Sequence, residues 1–242
     1  MLGVLPEENF IYYGDTLHIP YGDKQPPEVL RLTHQAVDKL IAMDCKAVVI
    51  ACNTATCAAA AQLREKYPQL IIIGMEPALK LAHDQCPEGQ ILVLATPVSL
   101  ASEKYHRLYN SYGKRAVSLP CPGLMDFVER GEIDTPAVRA YLTEKFAPYL
   151  ADGRAPAAVV LGCTHYVFLR PVLRRMLPPE TALLDGNAGT VRQLHRVLEQ
   201  RGLCREAPSP GRVELLTSGD PLHILPQMER LLHLPDMDET AR

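Results

Sequence analysis

Short apolar runs rich in β-branched residues punctuate the chain, and the stretches between them carry apolar positions at helical spacing. The runs occupy residues 9–15, 47–51, 70–74, 91–95, 116–119, 157–161, 182–185 and, late in the chain, 213–217. Each is short and closed by a turn, which reads as a buried strand of a parallel sheet feeding a helix. Pro26-Pro27-Glu28 opens a helix whose apolar positions Val29, Leu32, Ala36, Val37 and Leu40 follow a 3-4 spacing. Further helices are expected up to Tyr67 and up to about Gln85, then over 102–112, 124–130, 138–150, 169–174 and 190–201, with a proline-rich loop at 205–211. Strands alternating with helices predict an α/β fold, with a parallel or mostly parallel sheet in each half.

One of these units occurs twice. Ala47-Val48-Val49-Ile50-Ala51-Cys52-Asn53-Thr54 and Ala157-Ala158-Val159-Val160-Leu161-Gly162-Cys163-Thr164-His165 are both apolar runs that end in a cysteine and small polar residues. Aligned, they set Cys52 opposite Cys163, each at the carboxyl end of a central strand, where open α/β sheets hold their ligands. A lone cysteine at the end of a buried strand is ordinarily a small core hydrophobe. Two of them in repeated contexts, each followed by a polar turn, favour catalysis, while Cys45, Cys57, Cys86, Cys121 and Cys204 are read as structural. The turn Cys86-Pro87-Glu88-Gly89 precedes a restart of the pattern and marks the boundary between halves.

Composition narrows the picture. With 242 residues, 47% of them hydrophobic, the chain can bury a substantial core. A net charge of −3 with no basic cluster argues against nucleic acid as the main partner. No apolar run reaches membrane-spanning length, and the first residues lack the flank and apolar stretch of a signal peptide, so a cytoplasmic protein away from the membrane is expected. Seven cysteines without disulfide-framework spacing are expected as free thiols in a reducing compartment. Cys52, Cys57, Cys163 and His165 lack zinc-ligand spacing, and no glycine-rich fingerprint or phosphate loop is present, so no metal or cofactor is expected.

Ala51-Cys52-Asn53-Thr54-Ala55-Thr56, Gly162-Cys163-Thr164-His165-Tyr166, Tyr13-Gly14-Asp15-Thr16, Pro20-Tyr21-Gly22 and Gly189-Thr190-Val191 together resemble the bacterial glutamate racemases of the aspartate/glutamate racemase superfamily. The resemblance runs over nearly the whole chain. It implies two flavodoxin-like, doubly wound α/β domains about a pseudo-twofold axis, with the active site in the cleft between them. The implied division is a first domain of residues 1–88 plus 186–242, to which the C-terminal segment returns, and a second of 89–185. It also implies cofactor-independent interconversion of L- and D-glutamate, supplying D-glutamate for peptidoglycan, with glutamate as the small-molecule partner and a homodimer as a candidate assembly. By resemblance Cys52 deprotonates D-glutamate and Cys163 L-glutamate, His165 and Glu129 tune or assist the thiols, and Pro20, Tyr21, Gly22, Asn53, Thr54, Thr96 and Thr164 bind substrate.

The chemistry accounts for two thiols. Inverting Cα without a cofactor needs a base on one face and an acid on the other, exchanging roles with direction. A thiol, with an ordinary pKa of about 8.5, serves as either, and a charged histidine beside it lowers that value. If Cα–H is the weaker acid by on the order of ten pKa units, proton transfer is uphill by roughly 14 kcal/mol, so backbone amides and a dry cleft must stabilise the carbanion.

The chain departs from the family in three places. The family opens with a strand, an Asp-Ser-Gly turn and a helix, roughly 20 residues by average element lengths, that have no counterpart before Met1. The absence of that strand would leave unpaired edges and an open core, and a misplaced start is the preferred reading over a genuine short form that is weakly active or only binds glutamate or a protein partner. Ala95-Thr96-Pro97-Val98-Ser99 replaces a pattern with a glycine before the threonine and a second threonine at position 99, and Asp185-Gly186-Asn187 replaces an Asp-Ser turn. His165 after Cys163-Thr164 is the glutamate-type pattern; an aspartate racemase is the alternative within the superfamily.

Overall fold

In the computed structural model, residues 1–151, 155–207 and 209–232 are described; Pro208 of the expected loop and residues 233–242 of the expected first domain lie outside them. The elements in order are β1 (Phe10–Gly14), α1 (Pro26–Ile41), β2 (Ala47–Ile50), α2 (Asn53–Lys66), β3 (Ile71–Gly74), α3 (Leu79–Gln85), β4 (Ile91–Ala95), α4 (Pro97–Leu100) and α5 (Glu103–Tyr112). Then follow β5 (Ala116–Pro120), α6 (Leu124–Glu129), α7 (Pro136–Leu150), β6 (Ala158–Leu161), α8 (Arg170–Met176), β7 (Ala182–Asp185), α9 (Asn187–Gln200), β8 (Val213–Thr217) and α10 (Pro221–Leu232). All strand pairs are parallel. Every expected strand is present, whereas α4 and α10 were not expected. α4 is a single turn begun by Thr96, whose hydroxyl accepts the Ser99 N–H, and Pro97 at its first position.

The second half is one sheet in the order β5-β4-β6-β7. Numbered within that half it runs 2-1-3-4, the flavodoxin-like winding, with its switch point between β4 and β6. Period-2 alternation divides its side chains between two cores. Leu92, Leu94, Leu119, Val159, Leu161 and Leu183 face a layer with α6, α7 and α8. Ile91, Val93, Ala116, Ala158, Val160 and Leu184 face α3 and α5. Burial on both faces is why these strands read as unbroken apolar runs. Leu79 and Ala82 of α3 sit in this second core.

The first half differs from the single sheet expected. β1 pairs with β8 and β2 pairs with β3, as two separate two-stranded sheets. The β2–β3 pair is covered on both faces: Val48, Ile50 and Ile72 pack with α1 and α2, while Ile71 and Ile73 pack with Leu5 and with Val191, Leu194 and Leu198 of α9. The C-terminal segment thus returns to the first half, through α9 on β3 and through β8 in register with β1, from Phe10↔Val213 to Gly14↔Thr217. Thr16 and Thr217 lock that pair by a 2.6 Å hydroxyl bond. Among the described residues, no helix is long and apolar enough to cross a membrane.

Candidate active site

Cys52 and Cys163 occupy the same local position in the two halves. Each follows a buried parallel strand, β2 or β6, in extended backbone, and each is the residue before a helical segment. Cys52 caps α2, its sulfur accepting the Ala55 N–H at 3.5 Å. Burial pushes the Cys52 thiol up to about 11; the N–H groups of Ala55 and Thr54 pull against that, and charge on Cys163 adds to it, so the two sulfurs lie within electrostatic reach. Cys163 is aimed by the turn before it. Gly162 donates to Leu94 O at 2.7 Å, and a Cβ on Gly162 would lie as close to that same oxygen, so only glycine lets β6 run this near β4.

His165 stands between a thiol and a carboxylate. Its Nδ1 faces Cys163 Sγ at 3.7 Å and its Nε2 is 2.5 Å from Glu129 Oε1, at the end of α6. Burial alone would lower the His165 pKa, but the hydrogen bonds to Cys163 and Glu129 and the charges behind them raise it to about 10. The imidazole is therefore charged at neutral pH. Tyr166, fully buried, fixes the turn by donating to Cys121 O at 3.1 Å. Burial pushes the Cys121 thiol itself up to about 12, which suits the structural role expected of it.

Of the expected binding residues, Asn53 and Thr54 follow Cys52 directly, Thr96 and Gly22 connect to them, and Thr164 follows Cys163. Asn53 and Thr54 are buried in the first turn of α2. The Thr54 hydroxyl is 3.0 Å from both Thr96 and Ser99, and Thr96 is 2.9 Å from Ser99, a buried triangle that ties α2 to α4 across the two halves. The hydroxyl kept at Ser99 closes that triangle. Asn53 leaves its buried amide oxygen without a protein hydrogen-bond partner. Tyr21 donates to Asp15 Oδ2 at 2.6 Å, and His18 Nδ1 meets Asp15 Oδ1 at 2.7 Å. Burial, the Asp15 bond and then nearby charges that include Cys52 raise the Tyr21 pKa. Thr164 opens the short helical turn after Cys163, and Pro20, just before Tyr21, follows Ile19 through a cis peptide.

Gly22 packs on Thr96: a Cβ there would stand 2.9 Å from the Thr96 Cβ and Cγ2. Gly22→Ala is expected to cost about 1–3 kcal/mol through this overpacking, read as a lower urea midpoint; an unchanged midpoint would mean that Thr96 yields freely.

Sequence reasoning passed over three residues. Asp15 anchors Tyr21 and His18, and its carboxyl stays below the usual range because bonds from Tyr21, Ser218 and His18 outweigh the effect of burial. Tyr12 has its pKa raised by burial, then by Glu129, then by Cys52, so it lies within electrostatic reach of both. Gln227, on α10, donates to the Glu129 carbonyl at 2.8 Å. Asp15 was visible within the Tyr13-Gly14-Asp15-Thr16 motif, whereas nothing local marks Tyr12 or Gln227.

The chain is similar to known proteins in both sequence and fold. Residues 16–194 match the Asp/Glu/Hydantoin racemase family. The chain is 41% identical over 235 residues to the glutamate racemase of Clostridium perfringens (strain 13 / Type A), covering 96% of this chain and 90% of that one. Its fold is similar to the glutamate racemase of Thermus thermophilus solved with beta-chloro-D-alanine (TM-score 0.78, 33% identity, 95% of this chain and 85% of the other). It is also similar to isoform RacE1 of the Bacillus anthracis glutamate racemase (TM-score 0.84, 27% identity, 96% and 87%). With the match running through both cysteine turns and nearly end to end, the chain belongs to the Asp/Glu/Hydantoin racemase family, among its glutamate racemases.

Proposed function

We infer that this chain interconverts L- and D-glutamate without a cofactor, carrying a proton between the two faces of Cα, and so supplies D-glutamate for peptidoglycan. The observation that carries the reading is the pair Cys52 and Cys163, each just beyond a parallel strand and at the start of a helical segment, and within electrostatic reach of the other, in a chain 41% identical to a glutamate racemase. Burial keeps Cys52 protonated at neutral pH. Cys163 acts as the base toward L-glutamate, with charged His165 beside it to stabilise negative charge. In this form Cys163 takes the α-proton of L-glutamate and Cys52 delivers its own to the opposite face. The proton has then changed sulfur, and the enzyme stands ready for D-glutamate.

Around the thiols, Asn53, Thr54, Thr96 and Thr164 with Pro20, Tyr21 and Gly22 form the binding shell. Amides at the start of α2 suit a substrate carboxylate and charge developing on it in the carbanion. The unpartnered Asn53 amide supports a polar ligand at that point. Seven free thiols fit a reducing cytoplasm.

Either enantiomer of glutamate incubated with the protein in D₂O is expected to lose its Cα–H signal by NMR while the optical rotation decays to zero, with aspartate turning over far more slowly. Intact Cα–H signals after prolonged incubation would sink the reading, and faster turnover of aspartate would move it to the aspartate racemases.

A further inference from the structure

Helix α10 is anchored on the first half yet grips the second. Its preceding strand β8 pairs with β1, and Met228 packs on Gly14 at the end of that strand. Gln227 Nε2 donates to the main-chain carbonyl of Glu129 at 2.8 Å, and Arg230, three residues on and so on the same helix face, lies against Gly131. Glu129 is the last residue of α6, and a helix leaves its final carbonyls without intrahelical partners. From there the contacts run to the thiol: Glu129 Oε1 to His165 Nε2 at 2.5 Å, and His165 Nδ1 to Cys163 Sγ at 3.7 Å.

We propose that Gln227 is a positioning residue for racemisation: by holding the end of α6 from the other half of the molecule, it fixes Glu129 against His165 and, through them, sets the Cys163 sulfur relative to the substrate. The α6 segment is short, Leu124–Glu129, and stops at a turn with Gly131 in left-handed backbone, so its last residue has little regular structure of its own to hold it. The glutamate carboxylate can keep its short bond to the imidazole only if its main chain stays in place. Gln227 supplies that restraint from an element anchored on β1 through β8, so the geometry at the second thiol is tied to how the two halves are set. The proposal rests on the racemase reading.

The test uses the two deuterated enantiomers. Because the substrates are mirror images at an equilibrium constant of one, kcat/KM falls equally in both directions in any variant and cannot show which sulfur is affected. Primary isotope effects can, since Cys163 breaks the Cα–²H bond of L-glutamate and Cys52 that of D-glutamate. Gln227→Leu, on a largely exposed helix, is expected to lower kcat/KM about fivefold, the worth of one hydrogen bond. The isotope effect with [2-²H]L-glutamate should rise and that with [2-²H]D-glutamate should fall, as the Cys163 step becomes more limiting. Gln227→Lys, which keeps a donor of similar reach, should restore most of the rate, and Gln227→Leu added to Glu129→Gln should cost nothing more. An active wild type with Gln227→Leu unchanged overturns the proposal, as does a loss of rate that leaves both isotope effects unmoved. A wild type that does not racemise glutamate overturns the racemase reading itself.

Discussion

Replacing either Cys52 or Cys163 with alanine is expected to lower glutamate racemisation by at least about 10²–10⁴-fold, the span over which a positioned acid or base contributes. The two losses differ in kind. With Cys163 alone, the α-proton of L-glutamate can still be removed, exchanged with solvent and returned to the same face; with Cys52 alone, the same holds for D-glutamate. Each variant should therefore retain slow deuterium exchange into one enantiomer only, without inversion. Polarimetry measures inversion and NMR in D₂O measures exchange, so the two are read separately. Far-UV dichroism should not change: alanine is small, and Cys52 gives up only one 3.5 Å capping contact to Ala55. Normal inversion by either variant would refute the two-thiol mechanism, and equal exchange of both enantiomers would reassign the faces.

The largest loss of stability is expected at Arg170. Its guanidinium is buried at the start of α8, donates to Leu183 O at 2.9 Å and pairs with Asp185, and both side chains are 7% exposed. Asp185 also accepts the Asn187 N–H at 2.7 Å, where the chain passes from β7 into α9. Arg170→Leu strands a carboxylate in a low-dielectric setting and removes a donor from a sheet-end carbonyl. Breaking one side of such a pair costs about 3–5 kcal/mol, a large part of the roughly 5–15 kcal/mol that holds a domain together. The fall should appear in the urea midpoint without a change of slope. Replacing both partners, as Arg170→Met with Asp185→Leu, should recover most of it, because the principal cost is the unpaired charge. A single variant within about 1 kcal/mol of wild type would show that water reaches the pair.

Much of the site was legible because its chemistry lies in turns that local sequence builds. A β-branched run followed by a cysteine and small polar residues makes a strand, a sharp turn and a helix start wherever it folds, and this chain has two. Cys52 at the cap of α2, Cys163 before its helical turn, and Asn53 and Thr54 in the first turn all follow from that local grammar. His165 was marked by its adjacency to Cys163. Glu129 came from the family resemblance, since a lone carboxylate at a helix end carries no local signal that an imidazole will meet it.

The sequence by itself determined the elements and their alternation: apolar periodicity of two or of 3.6 is a short-range property, and it named every strand and all the longer helices before α10. Tertiary structure alone decided who meets whom. The pairing of β1 with β8, the placing of α3 on the second sheet, the hydroxyl triangle of Thr54, Thr96 and Ser99, and the reach of Gln227 to Glu129 join residues far apart in the chain. Such contacts depend on strand order and on which helix face turns inward, and several chain paths share the same local pattern. The division of the first half into two strand pairs belongs with them, because a pattern of apolar runs says that strands exist and not which edges they share.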